Sequence, residues 1–350
     1  MGTTYSEDDT CAVGGFSLKK SLIDTLIEKA GKSPKLVALP ECEATNTLLA
    51  ARSALDSGIC TPVLVNVPSV INSTAESCGV VLDGMRIVDI TDEALCDDLI
   101  SRYLAEPRVL SEKGCKRKMK DPVYYALMME AAGDVDCTFC GHTNTTSDVL
   151  VAAHTVIGMK ENVDVPSIFA IIETDNLTCS EGNRIAFADC GLNPEPTSEE
   201  LASIAIACCD GVQALMGWEP RAAFLSFSTD GSGAGTSVDK TLSAIAIARA
   251  RRPDLKIDGE FQLDSAIDPE VARIKIKRES DVAGRANILI FPDLNAANIA
   301  VKLVQNFAGG RAYGHTLSGF RKPIADSSRG ASVTEIVGDI AMLVITAANI

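Results

Sequence analysis

The chain has 350 residues, 46% hydrophobic and 23% charged, with a formal net charge of −15. That is enough apolar material for a sizeable core, and the acidic balance excludes nucleic acid as an expected partner, because phosphate backbones select basic surfaces. The longest apolar run, near the C-terminus, is broken by Gly338 and Asp339, so no membrane span is expected.

In chain order, the opening MGTTYSEDDTCAVGG is small and polar, and disorder is expected over residues 1–15. It has no basic region followed by an apolar core, so no secretory signal is expected. With twelve scattered cysteines, a reducing compartment follows, and the cytoplasm is the expected location. KLVALP (35–40), TPVLVNV (61–67) and RIVDI (86–90) read as buried strands, the first followed by the helical pattern ATNTLLAARSALDSG. The basic run KGCKRKMKDP (113–122) reads as a solvated helix face, with a polyphosphate-bearing ligand as the sharper alternative. DCTFCG (136–141) reads as a strand leading into SDVLVAAHTVIG. Its Cys137 and Cys140 have neither a second CxxC nor a spaced His pair beside them, so no metal site is expected. Between them and the helix, GHTNTTSDVL carries a surplus of hydroxyls, one of which must cap the helix.

GMKENVDVPS (158–167) is a polar connection that suggests a boundary near residue 160. Beyond it, SIFAIIET, RIAFAD, RAAFLSFS and ANILIFPD each read as a strand preceding a helix. Apolar strands alternating with helices predict an α/β fold with largely parallel, buried sheets, whose ligands bind beyond the carboxyl ends of the strands. LSFSTDGSGAG (225–235) is a glycine-rich turn that matches neither the P-loop nor the dinucleotide fingerprint. A plain turn and a ligand loop both remain open there. KPIADSSRGASVTEIV (322–337) ends in the capping box Ser332-x-x-Glu335 before an apolar helix. The cap leaves Asp326, Ser327, Ser328, Arg329 and Gly330 unexplained, and an arginine beside a glycine at a helix start suits an anion.

Taken together, LVALPECEATNTLLAA, KDPVYYALMMEAAGDVD, HTNTTSDVL, FADCGLNPEPTSEELASIAI, AFLSFSTDGSG, DGEFQLDSAI, ANILIFPDLNAANIAVKLVQNFAG and GFRKPIADSSRGASVTEIV resemble the phosphate acetyltransferase family. They run in family order from about residue 22 to the end. The resemblance implies reversible conversion of acetyl-CoA and phosphate into acetyl phosphate and CoA. It implies two three-layer αβα domains of the isocitrate/isopropylmalate dehydrogenase type with an interdomain cleft. Domain I would be residues 16–162 plus 316–350 and domain II residues 163–315. It also implies small-molecule substrates, no metal, no tightly bound cofactor and a homodimer. By motif position, the catalytic residues would be Ser328, Arg329 and Glu335. Phosphate would meet Thr145, Thr146, Arg329 and Gly330. CoA would meet Ser226, Ser228, Thr229, Gly231, Asp293 and Asp326. The chain departs from the family where arginines are replaced by Val151 and Asn46, where Ala325 replaces an asparagine, and where the histidine of the HTT motif falls on Asn144 with His142 two residues early; a further family arginine falls near Lys116 or Arg117. Transfer of propionyl or butyryl groups, or a CoA-binding regulatory role on the same scaffold, are the alternatives.

Overall fold

The computed structural model describes residues 21–350. The segment 1–15, for which disorder is expected, lies outside the described residues. The elements run α1 Leu22–Ala30, β1 Lys35–Leu39, α2 Thr45–Asp56, β2 Cys60–Asn66, α3 Pro68–Cys78, β3 Arg86–Asp89, α4 Glu93–Tyr103, α5 Glu112–Lys118, α6 Pro122–Ala132, β4 Cys137–Cys140 and α7 Thr146–Val156. They continue with β5 Ser167–Glu173, β6 Arg184–Ala188, α8 Ser198–Met216, β7 Arg221–Leu225, α9 Thr236–Arg251, β8 Lys256–Phe261, α10 Leu263–Ile267, α11 Pro269–Lys275, β9 Ile288–Ile290, α12 Leu294–Phe307, β10 Arg311–Ser318, β11 Ile324–Asp326 and α13 Val333–Ala348.

Two sheets form. The first has strand order β11-β4-β1-β2-β3, parallel throughout. The second has order β10-β5-β6-β9-β7-β8. Its β6, β9, β7 and β8 are parallel, while β10–β5 and β5–β6 are antiparallel. The α/β class with largely parallel sheets is as expected. SIFAIIET does not lead into a helix, however; it pairs at once with β6. The domain break expected at residue 316 falls inside β10, whose Thr316, Leu317 and Ser318 still pair with Phe169, Ile168 and Ser167.

The apolar strands are buried because helices cover both sheet faces. α13 joins the halves. Its residues Ile336, Ile340, Ala341 and Val344 are fully buried, and it packs against α1 and α2 on one side and α8 and β10 on the other. The capping box at its start forms as expected: Ser332 Oγ accepts from the Glu335 N–H, and the Glu335 carboxylate accepts from the Ser332 N–H.

One core group opposes folding above neutral pH. Glu130 on α6 is fully buried; its Oε2 accepts from Thr138 Oγ1 at 2.7 Å and its Oε1 has no partner. Burial pushes its carboxyl up to about 8, against an ordinary 4.5. The folded state therefore holds a proton that the unfolded state has released. Stability is highest below the unfolded value and falls as pH rises toward the folded one, by about 1.4 kcal/mol per pH unit at most. Glu130→Gln is expected to flatten urea-derived stability between pH 5 and 8 and to exceed wild-type stability at pH 8.

Candidate active site

The loops after β1, β4 and β11 lie side by side, because these strands are adjacent and parallel in the first sheet. Glu41, just past β1 and buried, organises them. Its carboxylate accepts from the backbone N–H of His142 (2.7 Å), Thr143 (3.1 Å) and Asn144 (2.8 Å), and from Asn144 Nδ2 (2.8 Å). Three successive N–H groups on one carboxylate fix the loop from 142 to 144. Glu43 adds a bond from Thr143 Oγ1 at 2.9 Å.

The Ser-Arg-Gly loop is fastened to the same platform. The Ser327 N–H donates to the Cys140 carbonyl at 2.8 Å, His142 Nδ1 lies 3.1 Å from the Ser328 carbonyl, and Asn46 Nδ2 donates to the Ala331 carbonyl at 3.1 Å. Asn46 thus acts as a tether. Within the loop, the Ala331 N–H bonds back to the Ser328 carbonyl at 3.0 Å. Ser328, Arg329 and Gly330 are exposed, and among the described residues the Arg329 guanidinium has no hydrogen bond or ion pair. Gly141 has φ +90°, and a Cβ there would lie 2.1 Å from Asp326 Oδ1, so only glycine lets β4 pass this acid.

A cleft of about 680 Å³ opens between the two halves. One wall is Ser328, Gly330, Glu335 and Asp339; the other carries Asn298 and Lys302 of α12 and Arg311 and Tyr313 of β10. Lys302 and Arg311 place positive charge at this cleft in an otherwise acidic molecule, although Arg311 is already paired with Glu173 at 2.8 Å. Glu335 Oε2 accepts from both the N–H and Oγ of Ser332 at 2.8 Å, and these bonds hold its carboxyl below the usual range. Asp339, one helical turn on, is pushed up to about 7 by burial and by the Glu335 charge.

The remaining expected residues lie elsewhere. Thr145 caps α7, accepting from the Asp148 N–H, and Thr146 begins that helix. Neither lines the cleft. Ser226, Ser228, Thr229 and Gly231 do not line it either; they follow β7, in the second sheet. Their polar groups are consumed locally: Ser228 Oγ donates to Glu260 at 2.7 Å, the Gly231 N–H to the same carboxylate at 2.9 Å, Ser226 Oγ accepts from the Ser228 N–H, and Thr229 Oγ1 accepts from the Gln262 N–H. Asp293 caps α12 through the Ala296 N–H. Asp326 is buried, with Oδ1 lacking a hydrogen-bond partner and its carboxyl raised to about 6 by burial. Val151 is exposed on α7. Lys116 on α5 pairs with Asp97 and Glu112, and Arg117 is exposed. Cys137 and Cys140 are buried, their thiols pushed up by desolvation.

Residues 21–346 match the family model described as phosphate acetyl/butaryl transferase. The phosphate acetyltransferase of Clostridium acetobutylicum is 39% identical over 329 residues, which cover 93% of this chain and 98% of that protein. The EutD phosphotransacetylase from Staphylococcus aureus superposes with a TM-score of 0.80 at 28% identity, covering 94% of this chain and 98% of its own. A 4-hydroxythreonine-4-phosphate dehydrogenase from Salmonella typhimurium shares the fold at a TM-score of 0.53 and 12% identity, covering 89% of this chain and 99% of its own. A dehydrogenase-like α/β scaffold whose relatives move acyl groups defines a transferase. The chain belongs to the phosphate acetyl/butaryl transferase family.

Proposed function

We propose that the protein transfers an acetyl group reversibly between CoA and inorganic phosphate, in a ternary complex and with no metal or bound cofactor performing the chemistry. The observation that supports this most is the tethered Ser328-Arg329-Gly330 loop: Ser328 and Gly330 line the cleft shared by acids of α13, and Arg329 between them, which does not itself line it, is exposed with an unpaired guanidinium. Arg329 clamps the phosphoryl group through its planar fork. Ser328 donates to the carbonyl oxygen as negative charge develops there. The thiol loses its proton to an acid of α13 that lines the cleft, Glu335 in the family-based assignment. The thiolate attacks the acetyl carbon of acetyl phosphate, the C–S bond forms, the C–O bond to phosphate breaks, and the departing phosphate regains the proton. Holding both substrates in one cleft supplies much of the rate. Gly330, which lines the cleft on the same loop, assists phosphate.

We also propose the two-domain division, with the second domain extended to Ser318 so that β10 stays whole. A homodimer fits α12, which exposes Ile299, Leu303 and Phe307 as one apolar stripe, Phe307 being 86% exposed. The eleven described cysteines are all free thiols, which fits the cytoplasm. Among the described residues, no helix is long and apolar enough to cross a membrane. Propionyl or butyryl transfer on the same residues is a second reading, favoured by the breadth of the family description and the size of the cleft. Phosphate-dependent CoA release from acetyl-, propionyl- and butyryl-CoA separates the two: acetyl-CoA should have the highest kcat/KM, and a butyryl preference would replace the first reading by the second.

A further inference from the structure

α13 is almost wholly apolar after its first turn, yet it carries one further acid. Asp339 follows Glu335 by four residues, so both project from one face of the helix. Both line the 680 Å³ cleft. Asp339 also lines a second cavity of about 20 Å³ with Thr316, Asp326 and Thr346, a volume sufficient for one water. Asp326 Oδ1, buried and without a hydrogen-bond partner, belongs to that small chamber's lining residue. Asp339 thus stands between a substrate-sized cleft and a water-sized, mostly apolar chamber, with a second acid beyond it.

We propose that Asp339 is the group that takes the proton from the CoA thiol, and that Glu335 is a positioning residue which orders the helix start and sets the charge facing Asp339. This rests on the acyl transfer proposed above. Glu335 is occupied: its Oε2 accepts from Ser332 N–H and Oγ, both at 2.8 Å. Those bonds favour its ionised form and make it a weak base. Asp339 has no such donors; burial and Glu335 raise it to about 7, close to where a base working on a thiol at neutral pH is most effective. Besides Glu335, the charged or titratable groups lining its two cavities are Lys302 of α12, Arg311 and Tyr313 of β10, Asp326 of β11, and the Cys190 thiol just past β6, which burial pushes up. From α1, the cleft receives the apolar Ile23. In the forward step, the S–H bond breaks, the proton moves to the Asp339 carboxylate, and the sulfur electron pair forms the C–S bond. The proton then passes to the departing phosphate, leaving Asp339 ionised.

The test is the pH dependence of kcat/KM for CoA with acetyl phosphate, in wild type, Asp339→Asn and Glu335→Gln. Wild type should lose activity on an acid limb near pH 7. Asp339→Asn should lose about 10²–10⁴-fold in rate and the limb itself, with CoA affinity unchanged by calorimetry. Glu335→Gln keeps a cap acceptor but removes the facing charge, so its limb should move to lower pH. If Asp339→Asn keeps rate and limb while Glu335→Gln loses the limb, Glu335 is the base and the inference fails. If Asp339→Asn does not fold, the direction of the Glu335→Gln shift decides alone. A wild-type protein that binds CoA but forms no acetyl-CoA from acetyl phosphate would overturn the functional reading itself.

Discussion

Arg329→Ala is expected to lower the rate of acetyl transfer by about 10²–10³-fold while leaving thermal stability unchanged. Its guanidinium is exposed and has no hydrogen bond or ion pair among the described residues, so the folded state loses no contact when it is removed. A ligand phosphate loses a bidentate partner: across the cleft Lys302 offers only a point charge, and Arg311 is already paired with Glu173. Arg329→Lys should recover only part of the rate, since an ammonium cannot supply the planar fork. Steady-state kinetics over a phosphate series, with Tm measured in parallel, checks both halves. An unchanged rate would remove Arg329 from the chemistry.

Glu41→Ala should have the largest effect on stability and should disable the site as well. The carboxylate is buried and accepts three backbone N–H groups and one side-chain amide. Each hydrogen bond to a charged group contributes about 1.5–3 kcal/mol, and the contributions are not additive, so an overall loss of about 3–5 kcal/mol is expected. The loop from 142 to 144 then loses its anchor, and the Ser328 carbonyl loses its ordered neighbour His142. Activity should fall even at temperatures where the variant remains folded, because misplacement of about 1 Å can cost roughly 100-fold. Urea unfolding and kinetics below the transition measure the two effects separately.

The alternation of apolar strands and helices made the class legible, because parallel sheets buried on both faces need continuous apolar runs. KLVALP, TPVLVNV and ANILIFPD therefore announce β1, β2 and β9. The strands that escaped are those without such a run. β8 is KIDGEF, β10 is RAYGHTLS and β11 is the three-residue IAD. Pairing with neighbours distant in sequence, not local propensity, makes them strands. Ser332 and Glu335 were legible as a cap because that signal is local. Glu41 was not, because its partners lie a hundred residues away. Its only hint was an acid just past a buried strand. Asp339 has a plainer signal, a lone carboxylate interrupting an apolar helix, but hydropathy alone marks it only as a break. The turn 226–231 is ambiguous in sequence because glycines and hydroxyls suit a ligand loop and a self-satisfied turn equally, and its bonds to Glu260, thirty residues on, are not legible locally.

The most direct measurement incubates purified protein with acetyl-CoA and follows free CoA thiol and acetyl phosphate together, with and without inorganic phosphate. Equal amounts of both products, appearing only when phosphate is present, are expected. Thiol release that is independent of phosphate, or that yields acetate in place of acetyl phosphate, would contradict acetyl transfer to phosphate as the reaction of this cleft.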